Sequence, residues 1–339
     1  MRDYISHEVQ EISKLLDDLE RQERIVRESR GPENRTKRNE AEQKTRSIRE
    51  QLLTAVPPAA TYEFLDATKR ADAISLRTTW QEKNRRVDCL QPLLKNWKEA
   101  RSYLNTFAAP TIDLSILPAY SFAIQLTFRL AQPYISRDEQ SFYIIDNPVR
   151  KDKLFGLPYV ASTSWKGSLR SALWHSEHKD NDEAIRRLFG NEKNVEEDAK
   201  FHAGRLQFFP TFFTMKSLEV INPQDREHRA GTDPIAFESV PEGSEGTFTL
   251  LYVPFDRVGA DEKETRKQVG QDLGLVAQGI QAMFTIYGFG AKTSSGFGLA
   301  RESVKGTLNM RTENRSEQFG SFGQLTTTVE QLNAILMKE

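Results

Sequence analysis

The sequence has very few of the residues that make disulfides or zinc sites. It contains one cysteine, Cys89, and five histidines among 339 residues. A single cysteine excludes an internal disulfide and any zinc site built on paired cysteines. Only His175 and His178 are close in sequence, and a third ligand would have to come from a distant segment. We therefore interpret these two histidines as a solvated pair and not as a metal site.

Long hydrophobic runs and an excess of one charge are also missing. No apolar run approaches the roughly 20 residues that a membrane-spanning helix needs. The first residues are polar where a signal peptide would be apolar, so we expect a cytoplasmic protein. Lys and Arg number 47 against 48 Asp and Glu, which gives a net charge of −1. Any nucleic-acid site must therefore be a local basic patch.

The N-terminal third has a helical pattern. Apolar residues recur every three or four positions among many charges, at Ile5, Val9, Ile12, Leu16 and Leu19. Residues 30–34 break this pattern, a second charged helix follows to Leu53, and Pro57-Pro58 ends it. A further helical stretch, with Trp80, Leu90, Leu94, Trp97 and Leu104, precedes a linker at 108–118. We expect residues 1–110 to form an all-helical extension that docks a neighbouring subunit.

The pattern changes to that of an α+β domain after the linker. Residues 122–130 alternate apolar and polar side chains, as in a half-buried strand, and helical spacing follows from Ser164. Two more strands at 204–209 and 247–253, a helix over 269–283 and a last strand at 299–304 complete the order βαββαβ. This order predicts a ferredoxin-like (RRM-like) domain over 111–305, with one sheet face covered by helices and the other available. Residues 306–339 are expected to be a C-terminal tail.

A glycine-rich loop at 288–298 is the first candidate anion site. It contains four glycines, one lysine and three hydroxyl residues, so that backbone N–H groups at Gly288 and Gly290 can face an anion beside Lys292 and Thr293. It is not a Walker A loop, because it runs from helix to strand. The alternative is a tight turn whose glycines only permit close packing.

A second candidate anion site lies at 156–170. Ser162, Thr163 and Ser164 are suited to capping a helix start, where free N–H groups and the helix dipole favour an anion. Lys166 and Arg170 are four residues apart and share a helix face. Between Arg150 and Arg170 there are five basic residues and one acidic residue. These features suit a phosphate backbone, and the alternative is a capped helix with exposed cations.

These motifs occur in an order that resembles the RAMP (repeat-associated mysterious protein) superfamily, specifically the backbone subunits of type III CRISPR effectors. The resemblance covers about 122–301 and rests on Asp-Asn-Pro-Val at 146–149, Gly-Leu-Pro-Tyr at 156–159, Ser-Trp-Lys-Gly at 164–167, Leu-Arg-Ser at 169–171 and the loop at 288–298. Trp165 and Ala161 depart from the usual family residues. The subunit type, whether repeated backbone, single-copy cap or a less common variant, stays open.

The resemblance implies a subunit that binds guide RNA (crRNA) and its target RNA beside other effector subunits. Arg150, Ser162, Ser164, Lys166, Arg170, Gly288, Gly290, Lys292 and Thr293 are then the RNA-binding candidates, with Phe142 and Tyr143 as stacking or core residues. It also implies a catalytic aspartate after the first strand, which we assign to Asp138, with Mg²⁺ as its metal; Glu139 and Asp146 are the rivals. The alternatives are a guide-RNA-processing endoribonuclease of the same superfamily and a purely structural capping subunit.

Overall fold

The structure is a computed structural model that describes residues 2–29, 34–55, 86–88, 107–138, 147–153, 155–176, 178, 182–190, 203–221, 235–312 and 315–336. The chain divides into two compact units, 1–85 with 140–146 and 86–139 with 147–339. No helix in the described ranges is both long and apolar enough to span a membrane.

The first unit contains a helical hairpin. Helix α1 spans Arg2–Glu28, helix α2 spans Arg35–Ala55, and the two pack against each other. Leu19 and Ala41 are buried, whereas most of the surrounding charged residues are exposed. The helices expected on either side of the break at 30–34 are therefore confirmed.

The expectation of an all-helical extension to residue 110 is wrong at one place. Arg86–Asp88 forms a short strand, β1, which pairs antiparallel with a strand of the second unit. Residues Trp80, Leu90, Leu94, Trp97 and Leu104, on which the third helical stretch was predicted, lie outside the described residues.

The second unit is built on a five-stranded antiparallel sheet. Its strands are β2 (Phe122–Arg129), β4 (Leu206–Phe208), β8 (Glu245–Tyr252), β9 (Ser303–Met310) and β10 (Arg315–Ser321), in the spatial order β10-β9-β2-β8-β4. Strand β2 is central and pairs Leu126 with Phe248 on one side and Gly306 on the other. Without β10, the order β9-β2-β8-β4 and the two intervening helices form the predicted ferredoxin-like βαββαβ arrangement.

Helices cover one face of this sheet. Helix α3 (Ser162–His175) and helix α5 (Glu262–Ala282) carry the predicted apolar faces, and a seven-residue helix, α4 (Glu183–Phe189), lies between them in the chain. The core is rich in aromatic rings, because Trp165 of α3 contacts Phe248, Phe284 and Phe289 at centroid distances of 4.6–5.5 Å. The indole Nε1 donates to Thr211 Oγ1 at 3.1 Å, so the buried tryptophan leaves no polar atom without a partner.

Residues 306–339 are not a tail, and the predicted boundary at 305 needs correction. They complete β9 and add β10 and helix α6 (Phe322–Leu336). Helix α6 packs on α5 and buries Phe322, Leu325, Val329, Leu332 and Leu336. The Phe322 ring stacks on Phe284 at 5.0 Å, and Asn333 Nδ2 donates to Gly270 O at 2.9 Å. This segment therefore belongs to the main core.

Smaller elements complete the second unit. Strand β3 (Tyr159–Val160) pairs with β5 (Thr211–Phe212), and β6 (Met215–Ile221) lies between β1 and β7 (Ile235–Ser239). Glu238 of β7 is buried and forms ion pairs with Lys151 and Lys216. A second buried group surrounds Asp272 of α5, which accepts hydrogen bonds from Arg187, Arg205 and Tyr252 at 2.9, 3.1 and 2.8 Å.

The sheet face opposite the helices is polar and partly contacted by the linker. Thr127 Oγ1 and Thr247 Oγ1 lie 3.1 Å apart across β2 and β8. Gln125 Nε2 donates to Thr249 Oγ1 and also to Pro110 O, at 3.2 and 3.1 Å. The expectation that this face is available is therefore wrong at Gln125, where the chain segment from 107 to 118 approaches it.

Candidate nucleic-acid interface

A cleft of about 810 Å³ opens where three segments meet: the chain after β2, one face of α3, and the loop after α5. The first segment contributes Tyr134, Ser136 and Arg137, with Arg150 beside them. The glycine-rich loop is hydrogen-bonded to the first segment, since Ala291 N donates to Ile135 O at 2.8 Å and Gly298 N to Pro133 O at 2.9 Å. The cleft walls are thus parts of one connected framework.

Helix α3 presents small polar residues to the cleft. Its buried face consists of Trp165, Leu169, Ala172 and Leu173. The neighbouring face lines the cleft with Ser164, Gly167, Ser168, Ser171 and His175, at helical spacing. Three serine hydroxyls can each donate one hydrogen bond, and the missing side chain at Gly167 leaves open space, since nothing lies within 4 Å of a Cβ placed there. This wall suits a polar ligand that approaches the helix closely.

The charge of the cleft is positive. Arg137 and Arg150 line it, and the lining includes no aspartate or glutamate among the described residues. Arg150 is held in place by its neighbours: its backbone N–H donates to Ser136 Oγ at 2.9 Å, and its side-chain Nε donates to Tyr159 OH at 3.1 Å. The buried Tyr134 forms part of the floor, and burial raises the pKa of its hydroxyl to about 12, so this group stays neutral. The cleft therefore favours an anion.

The glycine-rich loop shapes the third wall. Gly288 and Gly290 have φ angles of 77° and 91°, in the region that favours glycine. A Cβ at Gly290 would lie 2.5 Å from Tyr134 Cε2 and 2.6 Å from Ile135 O. The N–H groups of Gly288, Phe289 and Ala291 all donate to protein carbonyls. These three amides hold the loop in shape and are not available to an anion, contrary to the expectation at Gly288.

The structure brings together five of the nine predicted RNA-binding residues in this cleft, namely Arg150, Ser164, Gly288, Gly290 and Thr293. Ser162, Lys166, Arg170 and Lys292 do not line it. Lys292 has its Nζ 5.0 Å above the ring of Phe237, on β7. Ser162 is not the helix cap, because Ala161 occupies the N-cap position and has no side-chain acceptor.

Lys166 and Arg170 lie on the other flank of α3. At 100° per residue, their direction is roughly 140° from that of the serines that line the cleft. The Arg170 guanidinium packs 5.1 Å over the ring of Trp174 on the same flank. Burial and the charge of Arg170 lower the pKa of Lys166. These two cations thus define a separate basic flank that does not take part in the cleft.

Several cleft residues were missed from the sequence: Arg137, Ser168, Ser171, His175, Ile286 and Tyr287. Ser164, Ser168 and Ser171 recur at intervals of four and three, which was a usable signal. His175 and His178 do not act as a pair, because the His175 ring stacks on Tyr287 at 4.8 Å whereas His178 Nδ1 lies 3.7 Å from Asp182.

Asp138 lies next to Arg137 in the chain but does not line the cleft. Its N–H donates to Pro148 O at 3.0 Å, and its Oδ2 is buried with no hydrogen-bond partner among the described residues. A buried carboxylate oxygen is suited to accept a hydrogen bond or to bind a cation. The described ranges contain no group of three or more His, Cys, Asp or Glu that could hold a metal ion. Glu139, Phe142, Tyr143 and Asp146 lie outside the described residues.

The cleft, the helices α3 and α5 and the strands β4 and β8 fall within the part of the chain that matches a known family. Residues 133–301 match the RAMP superfamily, and the chain therefore carries a RAMP superfamily domain.

Two curated relatives share the name CRISPR system Cms endoribonuclease Csm3. The protein from Streptococcus thermophilus is 28% identical over 175 residues, which cover 48% of this chain and 77% of that protein. The protein from Mycobacterium tuberculosis is 27% identical over 184 residues, which cover 47% and 75%. The alignments thus span three quarters of each relative and about half of this chain.

Solved structures give weaker likenesses. A chain of the type III-B Cmr-beta complex bound to cognate target RNA has a TM-score of 0.42 at 16% identity, covering 83% of this chain and 92% of that one. A chain of a CRISPR RNA-guided surveillance complex has a TM-score of 0.38 at 16% identity, covering 63% and 84%. At these scores no conclusion about function follows from them.

Proposed function

We propose that the protein is an RNA-binding backbone subunit of a type III CRISPR effector complex, acting in the cytoplasm beside guide RNA, target RNA and the other subunits. The observation that carries the proposal is the cleft: two arginines, several hydroxyls and no carboxylate among its described lining. The RAMP domain and the two Csm3 relatives support it.

The cleft chemistry favours contacts to the RNA backbone. A guanidinium can donate two parallel hydrogen bonds to a phosphate, and the guanidinium of Arg150 is oriented by the bond from its Nε to Tyr159 OH. Serine hydroxyls on α3 add neutral donors beside these charges. Contacts to phosphate and sugar fix the position of a strand but carry no base information. In RNA-guided complexes base pairing reads the sequence, so a subunit of this kind does not need to.

The test compares the cleft with the opposite flank of α3. We expect the double variant Arg137→Ala, Arg150→Ala to bind unrelated single-stranded RNAs more weakly, and the log–log salt slope to fall by about 0.7 for each lost phosphate contact. The matched control is Lys166→Ala, Arg170→Ala, which also removes two cations from this domain. Filter binding at several salt concentrations measures both. If the control loses more affinity and slope than the cleft variant, the RNA lies on the other flank and the proposal for this cleft is wrong.

Target cleavage is a second candidate activity, and Asp138 favours it, since its buried Oδ2 has no hydrogen-bond partner in the described part of the chain. Mg²⁺ is commonly held by one or two carboxylates together with phosphate oxygens of the substrate, so one protein carboxylate fits this ion. When bound, Mg²⁺ would supply charge stabilisation at the scissile phosphate. Asp138 would hold the ion, and Arg137, next to it in the chain, would orient the phosphate.

A guide-processing endoribonuclease is one of the alternatives, beside a purely structural capping subunit. Such an enzyme needs a general acid or base, and His175 lies in the wall of the cleft. Incubation of the protein with repeat RNA in the absence of metal separates this class, since only a metal-independent processing enzyme cleaves under those conditions.

A further inference from the structure

One end of the cleft carries an apolar and aromatic rim that phosphate binding does not explain. The rim consists of His175 at the end of α3 and of Ile286 and Tyr287 after α5, all three in the cleft lining. The His175 and Tyr287 rings stack at a centroid distance of 4.8 Å and an interplanar angle of 26°. Ile286 is 66% exposed, although it is a large apolar residue.

The local backbone explains why these side chains point away from the core. Helix α5 ends in a π-helical turn, Met283–Tyr287, which is closed by Gly288 N donating to Met283 O at 2.9 Å. Met283 and Phe284 are buried in the core, whereas Ile286 is exposed. A π-helical turn contains more residues per turn than an α-helix and is frequent at functional sites.

The rim is also fixed in orientation. Tyr287 OH lies 3.4 Å from His175 O, which ties the phenol ring to the end of α3. The adjoining Gly288 has a φ of 77°, and a Cβ there would lie 2.6 Å from Phe297 O, so this turn needs a glycine directly after Tyr287. An ordered ring pair with an exposed apolar neighbour is suited to a flat, partly apolar group.

We propose that His175, Tyr287 and Ile286 form a docking platform for one nucleobase of the RNA strand whose phosphates enter the cleft. The inference rests on the proposed function, because the same cleft holds Arg137 and Arg150 for the backbone. Every base has a π-face, so stacking on such rings is tolerant of sequence. The platform gives the subunit affinity for bases in addition to phosphates, without base discrimination.

The experiment compares ordinary and abasic RNA on the full-length chain. Oligonucleotides of equal length, one with uracil throughout and one with abasic ribose throughout, are titrated against the parent, Tyr287→Ala and Tyr287→Phe. We expect Tyr287→Ala to weaken binding of the uracil RNA by about 5- to 150-fold, the range for one lost stacking contact, and to leave abasic RNA unchanged. Tyr287→Phe keeps the ring and should retain most of the affinity.

A matched control and a mapping experiment separate the outcomes. Phe255→Ala removes an aromatic ring that is 67% exposed and outside the cleft lining, and should change neither affinity. RNA with 5-iodouridine should crosslink to the peptide containing residues 286–287. If the parent binds neither RNA, the proposed function fails. If the parent binds RNA through Arg137 and Arg150 but Tyr287→Ala weakens uracil and abasic RNA equally, or not at all, only the platform is wrong.

Discussion

Which residue type can occupy a position in the cleft depends on steric contacts as much as on ligand chemistry. Gly290 combines a positive φ with a close approach to Tyr134 and Ile135, so its lack of a side chain is needed twice. Gly296 has a φ of 85° but no atom within 4 Å of an added Cβ. Substitutions at these two glycines therefore distinguish the effect of backbone strain from the effect of steric overlap within one loop.

We predict that Gly290→Ala destabilises the protein more than Gly296→Ala. A left-handed backbone conformation costs a residue other than glycine about 1–2 kcal/mol. Both variants should lose this much free energy of unfolding. Only Gly290→Ala also has to displace the Tyr134 ring and a backbone carbonyl, and this displacement should weaken RNA binding because both groups adjoin the cleft. Urea unfolding measures the free energies. Equal losses in the two variants would mean that the loop moves freely relative to Tyr134.

The proposed target cleavage depends on a single carboxylate, Asp138. We predict that Asp138→Ala abolishes target cleavage at the position of this subunit and leaves target binding intact, because its buried Oδ2 accepts no hydrogen bond from the described residues. The assay uses an assembled complex with complementary target RNA and Mg²⁺. Glu139→Ala and Asp146→Ala serve as comparisons; Asp146 directly precedes Asn147, whose carbonyl accepts from Glu238 N at 2.9 Å. Loss of cleavage only in Asp146→Ala would transfer the role to that residue.

Secondary-structure elements differ in how much of them the sequence reveals. Strand β2 and helices α3 and α5 were predictable, because one face of each is buried and the apolar spacing follows the side-chain period. The flank of α3 that faces the loop was missed, although Ser164, Ser168 and Ser171 recur on it at intervals of four and three. Both flanks are polar. The RNA contact is predicted from the sequence on the flank of the cations Lys166 and Arg170, but this flank does not line the cleft. In the π-helical turn the backbone hydrogen bond joins residues five apart, one more than in an α-helix, and this difference has no characteristic sequence pattern.

Helix α6 has a detectable sequence pattern, although residues 306–339 are predicted as a tail from the order of the preceding elements. Its residues Phe322, Leu325, Val329, Leu332 and Leu336 recur at intervals of three and four, which is the spacing of a buried helix face. The ferredoxin-like order was already complete at β9, so nothing in that order required a further strand and helix. The packing of Phe322 on Phe284 shows that the fold is extended at this edge.

We predict that Phe322→Ala lowers the free energy of unfolding by about 3–5 kcal/mol, the usual loss for a buried aromatic residue replaced by alanine. The exposed Glu330 on the same helix provides a control, and Glu330→Ala should change stability by less than about 0.5 kcal/mol. Urea denaturation followed by circular dichroism measures both variants. A small loss of stability in Phe322→Ala would mean that the C-terminal segment is a tail that folds independently of the core.

At the scale of the whole molecule, the charge is local and not global. The chain has a net charge of −1, so its overall field does not attract RNA. The cleft instead collects arginines and hydroxyls in one place and includes no described carboxylate. The salt dependence of binding should therefore report the few phosphates held in the cleft.

The division into two units sets the last prediction. Helices α1 and α2 lie outside the matched RAMP region, and their many charged residues suit docking to another subunit. A chain that starts at residue 111 loses β1, and it also loses the Phe107 ring, which contacts Phe155 and Phe212 at 4.9 Å. A chain that starts at Arg86 keeps these contacts.

We predict that the chain beginning at Arg86 folds and binds RNA like the full-length protein but co-assembles poorly with the other effector subunits. The chain beginning at residue 111 should fold with lower stability, because the three-stranded sheet loses an edge strand and two aromatic contacts disappear. Thermal unfolding, RNA titration and co-purification of the complex measure the three properties. If the chain from Arg86 is insoluble, residues 1–85 are needed for folding. If it assembles normally, residues 1–85 are not the docking element.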